Sequence, residues 1–356
     1  MTKDISQRKK DHLKLAQDDS LGFNISAGFE NWRFIHNALP ELDLKDVDTS
    51  TTFLNKTLRF PLLISSMTGG TDEARSFNSL LAEAAEHMGC ALGLGSIRPA
   101  LEDDSTRSSF LIAREMAPDA IILANLGIGQ VISGQYLLNT INFCEDLQAD
   151  GLIIHLNPLQ EAFQLNGDTD FSGGLKAIET WVQNFPLPII VKEVGQGLSP
   201  QVIDRLADIG VQYVDIAGAG GSNWISIEGA RLPDGQLLMK HTAKAFEDWG
   251  LPTVDVLENL DTDLFVIASG GLKRPLDLAK ALALGAQLGG IAGAVLKPAG
   301  AGDLHGTLTL LETWQQTLKI AMFGTGIKNI SELVGNRTIL DRMKPATRQQ
   351  SEKGQS

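Results

Sequence analysis

Eight short apolar runs recur along this chain, each pair spaced to leave room for a helix between them: 61–65 (PLLIS), 91–95 (ALGLG), 120–124 (AIILA), 151–156 (GLIIHL), 188–192 (PIIVK), 213–217 (YVDIA), 264–268 (LFVIA) and 287–292 (QLGGIA). Each is followed by a turn holding Gly, Asn or Ser and then by a stretch with helical spacing. "RPLDLAKALALG" shows the pattern: Pro275 sits in the first helical turn, where its missing N–H costs nothing, and Gly285 follows the last turn. Strands and helices alternating in this way form parallel strands with right-handed crossovers. Residues 60–299 number 240, close to the roughly 250 of a (β/α)8 TIM barrel, which is the α/β fold expected. A doubly wound open sheet is the competing arrangement.

Three segments are expected: an N-terminal extension over 1–59, a barrel over 60–335 and a polar tail over 336–356. The extension opens with "MTKDISQRKKDHLKLAQDD", polar and charged, so no secretory leader is expected. No apolar run approaches the ~18 residues of a membrane span. A formal net charge of -13 argues against nucleic acid or an anionic membrane as partner, so an anionic ligand needs a local basic cluster. The two cysteines, Cys90 and Cys144, make neither a disulfide framework nor a metal motif. A cytoplasmic protein is the natural expectation.

Active groups of such a barrel gather at the carboxyl ends of its strands. Glycine pairs follow runs seven and eight, in "SGGLKRP" and "IAGAVLKP", where backbone N–H groups approach an anion closely and a helix N-terminus adds partial positive charge. Together they suit a phosphate-bearing cofactor. Lys192 ends run five, and an unpaired buried ammonium is costly. It either pairs with a nearby carboxylate such as Glu193 or serves an electron-rich ring such as a reduced flavin. The run "IIHLNPLQEA" ends in His155 and then places Asn157, Gln160 and Glu161 around Pro158, an unusual density of polar groups for a core strand. Neither cysteine falls at the active mouth, so a catalytic thiol is not expected.

Taken together, "SSMTGGT", "GLGSIRPAL", "ANLGIGQ", "HLNPLQEAFQLNGDTDFSG", "VKEVGQG", "GAGGSNW", "ASGGLKRPLDLAKALALGA" and "IAGAVLKP" resemble the type 2 isopentenyl-diphosphate Δ-isomerases, FMN-dependent barrels, from about Arg8 to about Pro298. The resemblance implies FMN contacts at Ser66, Met67, Thr68, Ser96, Asn125, Lys192, Ser222, Gly270, Gly271, Ala292 and Gly293. It implies substrate contacts at Arg8, Lys9, Ser96, Arg98, His155, Asn157 and Gln160, with Mg²⁺ at Glu161 and Gln160 and Lys192 as the catalytic pair. It further implies a diphosphate substrate, NADPH as reductant and a homotetramer or homo-octamer. Ser222 stands where the family commonly has threonine and keeps the hydroxyl. The alternative reading is an FMN-dependent 2-hydroxy-acid oxidase or dehydrogenase. That chemistry wants a histidine just after run six, where this chain has "GAGGSNW" and its nearest downstream histidine is His241.

Overall fold

The computed structural model describes residues 2–343, with side chains from residue 7 onward. The eight apolar runs become eight barrel strands: β1 (Leu62–Ile64), β2 (Ala91–Gly93), β3 (Ile122–Gly127), β4 (Gly151–Leu156), β5 (Ile189–Glu193), β6 (Tyr213–Asp215), β7 (Phe265–Ala268) and β8 (Leu288–Ile291). All neighbouring pairs are parallel and the sheet closes on itself, β8 pairing with β1. The expected barrel is the one formed, and the open sheet is excluded.

Side-chain alternation sorts each strand into two faces. On β1, Leu62 and Ile64 pack outward with the helices, while Leu63 joins a separate cluster inside the barrel. Ala91, Leu123, Ile153, Ile190, Ile267 and Leu288 are the matching inward residues of other strands, with Tyr213 packed against them. Two residues further along, the next inward layer consists of Ser65, Gly93, Asn125, His155, Lys192, Asp215, Ser269 and Gly290. It is polar or glycine at every strand. Register aligns three of these, with His155 opposite Lys192 and Lys192 opposite Asp215.

The N-terminal extension closes both ends of this cylinder. A hairpin pairing Thr51–Phe53 with Lys56–Leu58 drives Phe53 and Leu58 into the inner cluster, Phe53 lying 5.1 Å from Phe265 and 6.0 Å from Tyr213 between ring centroids. Burying a ring of that size stabilises by about 1.5–3 kcal/mol, which explains why a polar segment carries this one aromatic plug. At the other end the helix Thr2–Leu15 lies over the mouth, His12 stacking edge-on against Trp224 at 5.0 Å. The tail expected from residue 336 is partly structured. Leu340–Arg342 pairs antiparallel with Trp32–Phe34, because Leu340 has an apolar site to fill and is buried. Residues 344–356 of that tail lie outside the described residues.

Candidate active site

Above the polar layer lies a cavity of about 730 Å³, a size suited to a cofactor and a small substrate. Every residue expected to touch the cofactor, the substrate or a metal lines it. Strand ends β1 to β3 bring Ser66, Met67, Thr68, Ser96, Arg98 and Asn125. From β4 come His155, Asn157, Gln160 and Glu161, and from β5 Lys192. The loops after β6, β7 and β8 bring Ser222, Gly270, Gly271, Ala292 and Gly293, and the N-terminal helix lowers Arg8 and Lys9 onto the mouth.

One wall is a chain of side chains. Asn125 Nδ2 donates to Ser66 Oγ at 2.9 Å, which turns Asn125 Oδ1 toward His155 Nδ1 at 2.7 Å. An amide oxygen only accepts, so His155 carries its proton on Nδ1 and presents a lone pair at Nε2. Burial, and then the charges of Lys192 and Lys9, push the His155 pKa down to about 4, so the ring is neutral at physiological pH.

Lys192 does not pair with Glu193. Its Nζ lies 2.7 Å from Asp215 Oδ2 and donates to Ser269 Oγ at 3.0 Å. Alternation points Glu193 away from Lys192, and its Oε2 instead accepts the backbone N–H groups of Val194, Gly195, Gln196 and Gly197 at 2.6, 2.6, 2.5 and 3.1 Å. That carboxylate shapes the loop after β5.

At the mouth, Lys9 Nζ donates to the carbonyls of Gly69 and Ser96. Burial, with Arg8 alongside, draws its pKa down to about 7. Burial also lowers that of Arg8. Arg98 Nε is fixed to Glu102 Oε1 at 2.8 Å, and Tyr136 donates to the same oxygen at 2.9 Å. The guanidinium therefore keeps its remaining N–H groups for an anion.

Gln160 is held at both ends. Asn157 Nδ2 donates to its Oε1 at 3.2 Å and its Nε2 reaches Glu228 Oε1 at 3.5 Å. Glu228 is 1% exposed and also takes His12 Nε2 at 2.7 Å and an Arg231 N–H at 2.5 Å. Burial alone would raise the Glu228 pKa, but its bond from His12 and the charges of His12 and Arg231 hold it below the usual carboxylate range.

Glu161 accepts from Asn157 Nδ2, Gln164 Nε2 and the Asp168 N–H, each at 2.8 Å. Among the described residues no group of three or more acidic, histidine or cysteine side chains is placed to hold a metal ion. A carboxylate such as Glu161 is the kind of hard oxygen donor that Mg²⁺ accepts alongside water and substrate oxygens. Cys90 and Cys144 are buried away from the cavity, and burial pushes both thiols up to about 12.

The residues fit FMN on two observations. Gly270 and Gly271 have φ of +89° and +77°, and a Cβ on Gly270 would fall 2.0 Å from Gly218 O. A Cβ on Gly293, at the start of the helix Gly293–Gly300, meets nothing within 4 Å, so that backbone opens onto free space. Such a loop pair and helix end cradle a phosphate. After the neighbouring strand β1 the buried hydroxyls Ser65 Oγ and Thr68 Oγ1 have no hydrogen-bond partner within the protein, and both residues line the cavity. A flat heterocycle rich in polar edges satisfies such atoms.

Four contributors to this site escaped the sequence reading: Asp215, Ser269, Glu228 and His12. Asp215 and Ser269 obey the same two-residue alternation that placed Lys192 and were open to that rule. Glu228 occupies an ordinary position of the helix Trp224–Arg231, and nothing local marks it.

A closed parallel barrel with glycine loops after β7 and β8 and a lysine at the end of its fifth strand has the features of an FMN-binding barrel. A family model described as FMN-dependent dehydrogenase matches residues 159–341. The fold resembles the flavin-binding domain of baker's yeast flavocytochrome b2, with a TM-score of 0.71 at 20% identity over 94% of this chain and 84% of that one. It also resembles (S)-mandelate dehydrogenase from Pseudomonas putida, with a TM-score of 0.64 at 20% identity, covering 94% and 99%. At that identity the likeness shows the fold alone. Full-length similarity lies elsewhere. The isopentenyl-diphosphate delta-isomerase of Pseudescherichia vulneris is 45% identical over 333 residues, 92% of this chain and 95% of that protein. The enzyme of the same name from Chlorobium limicola is 40% identical over 347 residues, 94% and 96%. The chain belongs to the type 2, FMN-dependent isopentenyl-diphosphate isomerase family.

Proposed function

We propose that this protein interconverts isopentenyl and dimethylallyl diphosphate through a 1,3-allylic proton shift, using reduced FMN and Mg²⁺, with NADPH as reductant. The supporting observation is that flavin-type groups and a set of diphosphate-type cations line one cavity, in a chain of this family. Assembly as a homotetramer or homo-octamer in the cytoplasm belongs to the same reading; among the described residues no helix is long and apolar enough to cross a membrane.

The chemistry adds a proton to one end of an alkene unit and removes one from the carbon beyond it, with no net oxidation. An unactivated alkene is a feeble base, so the site must be dry and the acid well placed. FMN, held by Ser66, Thr68, Asn125, Lys192 and the glycine loops, supplies an acid–base group to that site when bound. Arg8, Lys9 and Arg98 take the diphosphate charge, and Glu161 would hold Mg²⁺, which would supply further positive charge for that anion. Leu13, Trp224 and Ile227 line the same cavity and suit the carbon chain. Gln160, clamped between Asn157 and Glu228, orients the chain and holds a hydrogen-bonded route toward an ionised carboxylate. Closure by the N-terminal helix excludes water.

Hydride abstraction from a 2-hydroxy acid is not supported. The loop after β6 carries Ser222 and Asn223, and His241 is exposed on the helix Leu237–Ala245 rather than lining the cavity. The test is anaerobic incubation with isopentenyl diphosphate, FMN, reductant and Mg²⁺. Dimethylallyl diphosphate is expected only when flavin and reductant are both present. Equal conversion without flavin, or bleaching of oxidised flavin by a 2-hydroxy acid, overturns the proposal.

A further inference from the structure

Lys192, Asp215 and Ser269 form a closed triangle at the ends of three successive strands. Besides the 2.7 Å ion pair and the 3.0 Å bond from Lys192 Nζ to Ser269 Oγ, Ser269 Oγ donates to Asp215 Oδ1 at 2.5 Å. The Ala217 N–H reaches the same Oδ1 at 3.2 Å. Lys192 and Ser269 line the cofactor cavity, whereas Asp215 does not and is 0% exposed. The carboxylate thus stands behind the lysine, as seen from the cavity, with no access of its own to a ligand.

We propose that Asp215 is a positioning residue for the flavin: it fixes the Lys192 ammonium and offsets its charge, so that the reduction potential of bound FMN is set by the pair rather than by the lysine alone. A lone buried ammonium would project a full positive charge into the cavity and favour the more negative, reduced cofactor strongly. Paired at 2.7 Å, it projects a dipole, whose influence falls off faster with distance. His155, the inward neighbour on β4, is neutral and adds no compensating charge. Lys9 sits at the mouth, tied to the carbonyls of Gly69 and Ser96. Within the triangle Asp215 is the sole acid. The inference depends on the cofactor assignment and is independent of the isomerase chemistry.

The experiment is the midpoint potential of bound FMN in the holoenzyme, by dye equilibration at pH 6.5. Asp215→Asn keeps the shape and removes the charge. Its potential is expected to rise, equivalent to an increase of about tenfold in the affinity ratio for reduced over oxidised FMN. In a Lys192→Met background the same Asp215→Asn change should leave the potential where Lys192→Met alone puts it, because a fully buried carboxylate without its cation takes up a proton and is already neutral. Should Asp215→Asn fail to fold, Ser269→Ala removes one tether of the triangle and should shift the potential the same way by less. An unmoved potential in these variants, or an equal shift without the lysine, overturns the inference. No FMN uptake by the wild type sinks the cofactor assignment along with it, whereas normal uptake with an unmoved potential sinks this inference alone.

Discussion

His155 Nδ1 donates to Asn125 Oδ1 across 2.7 Å, leaving Nε2 without a proton in a ring whose pKa is about 4. A lone pair repels a phosphate oxygen. If His155 binds the diphosphate, the ring must gain a proton on Nε2, and the anion must raise its pKa as it binds. Calorimetry with inorganic pyrophosphate, in two buffers of different ionisation enthalpy at pH 6, should show wild type taking up more protons than His155→Gln. Lys9 is already mostly charged at that pH and contributes little to the difference. Identical uptake in the two proteins removes His155 from the diphosphate site.

Lys9 titrates in the opposite regime. Burial holds its pKa near 7, so the free site loses this positive charge as pH rises through neutrality. Pyrophosphate affinity should therefore weaken above pH 7 in wild type. Lys9→Arg should flatten that dependence, because a guanidinium stays charged. The same depression acts on folding: between pH 7 and 10.5 the unfolded chain holds the proton more tightly, so this group's contribution to stability rises with pH across that window. A pH-independent pyrophosphate affinity in wild type would refute the assignment of Lys9.

Gly270 and Gly293 separate backbone strain from ligand contact. Gly270→Ala places a methyl 2.0 Å from Gly218 O at φ +89° and should cost about 2–4 kcal/mol of stability, read as a lowered Tm of the apoprotein. Gly293→Ala meets nothing within 4 Å, so the apoprotein should melt as wild type does while FMN affinity falls. Retention of full FMN affinity by Gly293→Ala would place the phosphate elsewhere.

Gln160→Ala should lower turnover by ~10²–10⁴, the usual worth of a positioned proton-transfer group, with FMN binding intact. Glu161→Ala should instead raise the Mg²⁺ concentration needed for half-maximal rate. Steady-state kinetics across a metal titration checks both; a superimposable titration for Glu161→Ala ends its role as ligand.

Much of this architecture was legible because its signals are local. Apolar runs and their glycine turns mark the strands, and proximity to a run's end marks Ser66, Asn125, His155 and Lys192. The partners were harder to find. Lys192 looked across one peptide bond to Glu193, but adjacent residues on a strand face opposite ways, and the true partner, Asp215, lies one strand over. Glu228 meets Gln160 across 68 residues, a juxtaposition made only when the helix after β6 folds back over the mouth. The floor hairpin was equally hidden, since Phe53 is one aromatic in a polar segment and its burial depends on a cylinder that begins after it.

The stacking of a polar ring directly on an apolar one makes strand register a condition for catalysis as well as for folding. A slip of one residue in β4, β5 or β6 would turn His155, Lys192 or Asp215 outward among the helices and bring their apolar neighbours into the mouth. Such a chain would lose burial and chemistry together. A barrel zipped up wrongly would be too unstable to persist, so few inactive look-alikes should survive among folded molecules.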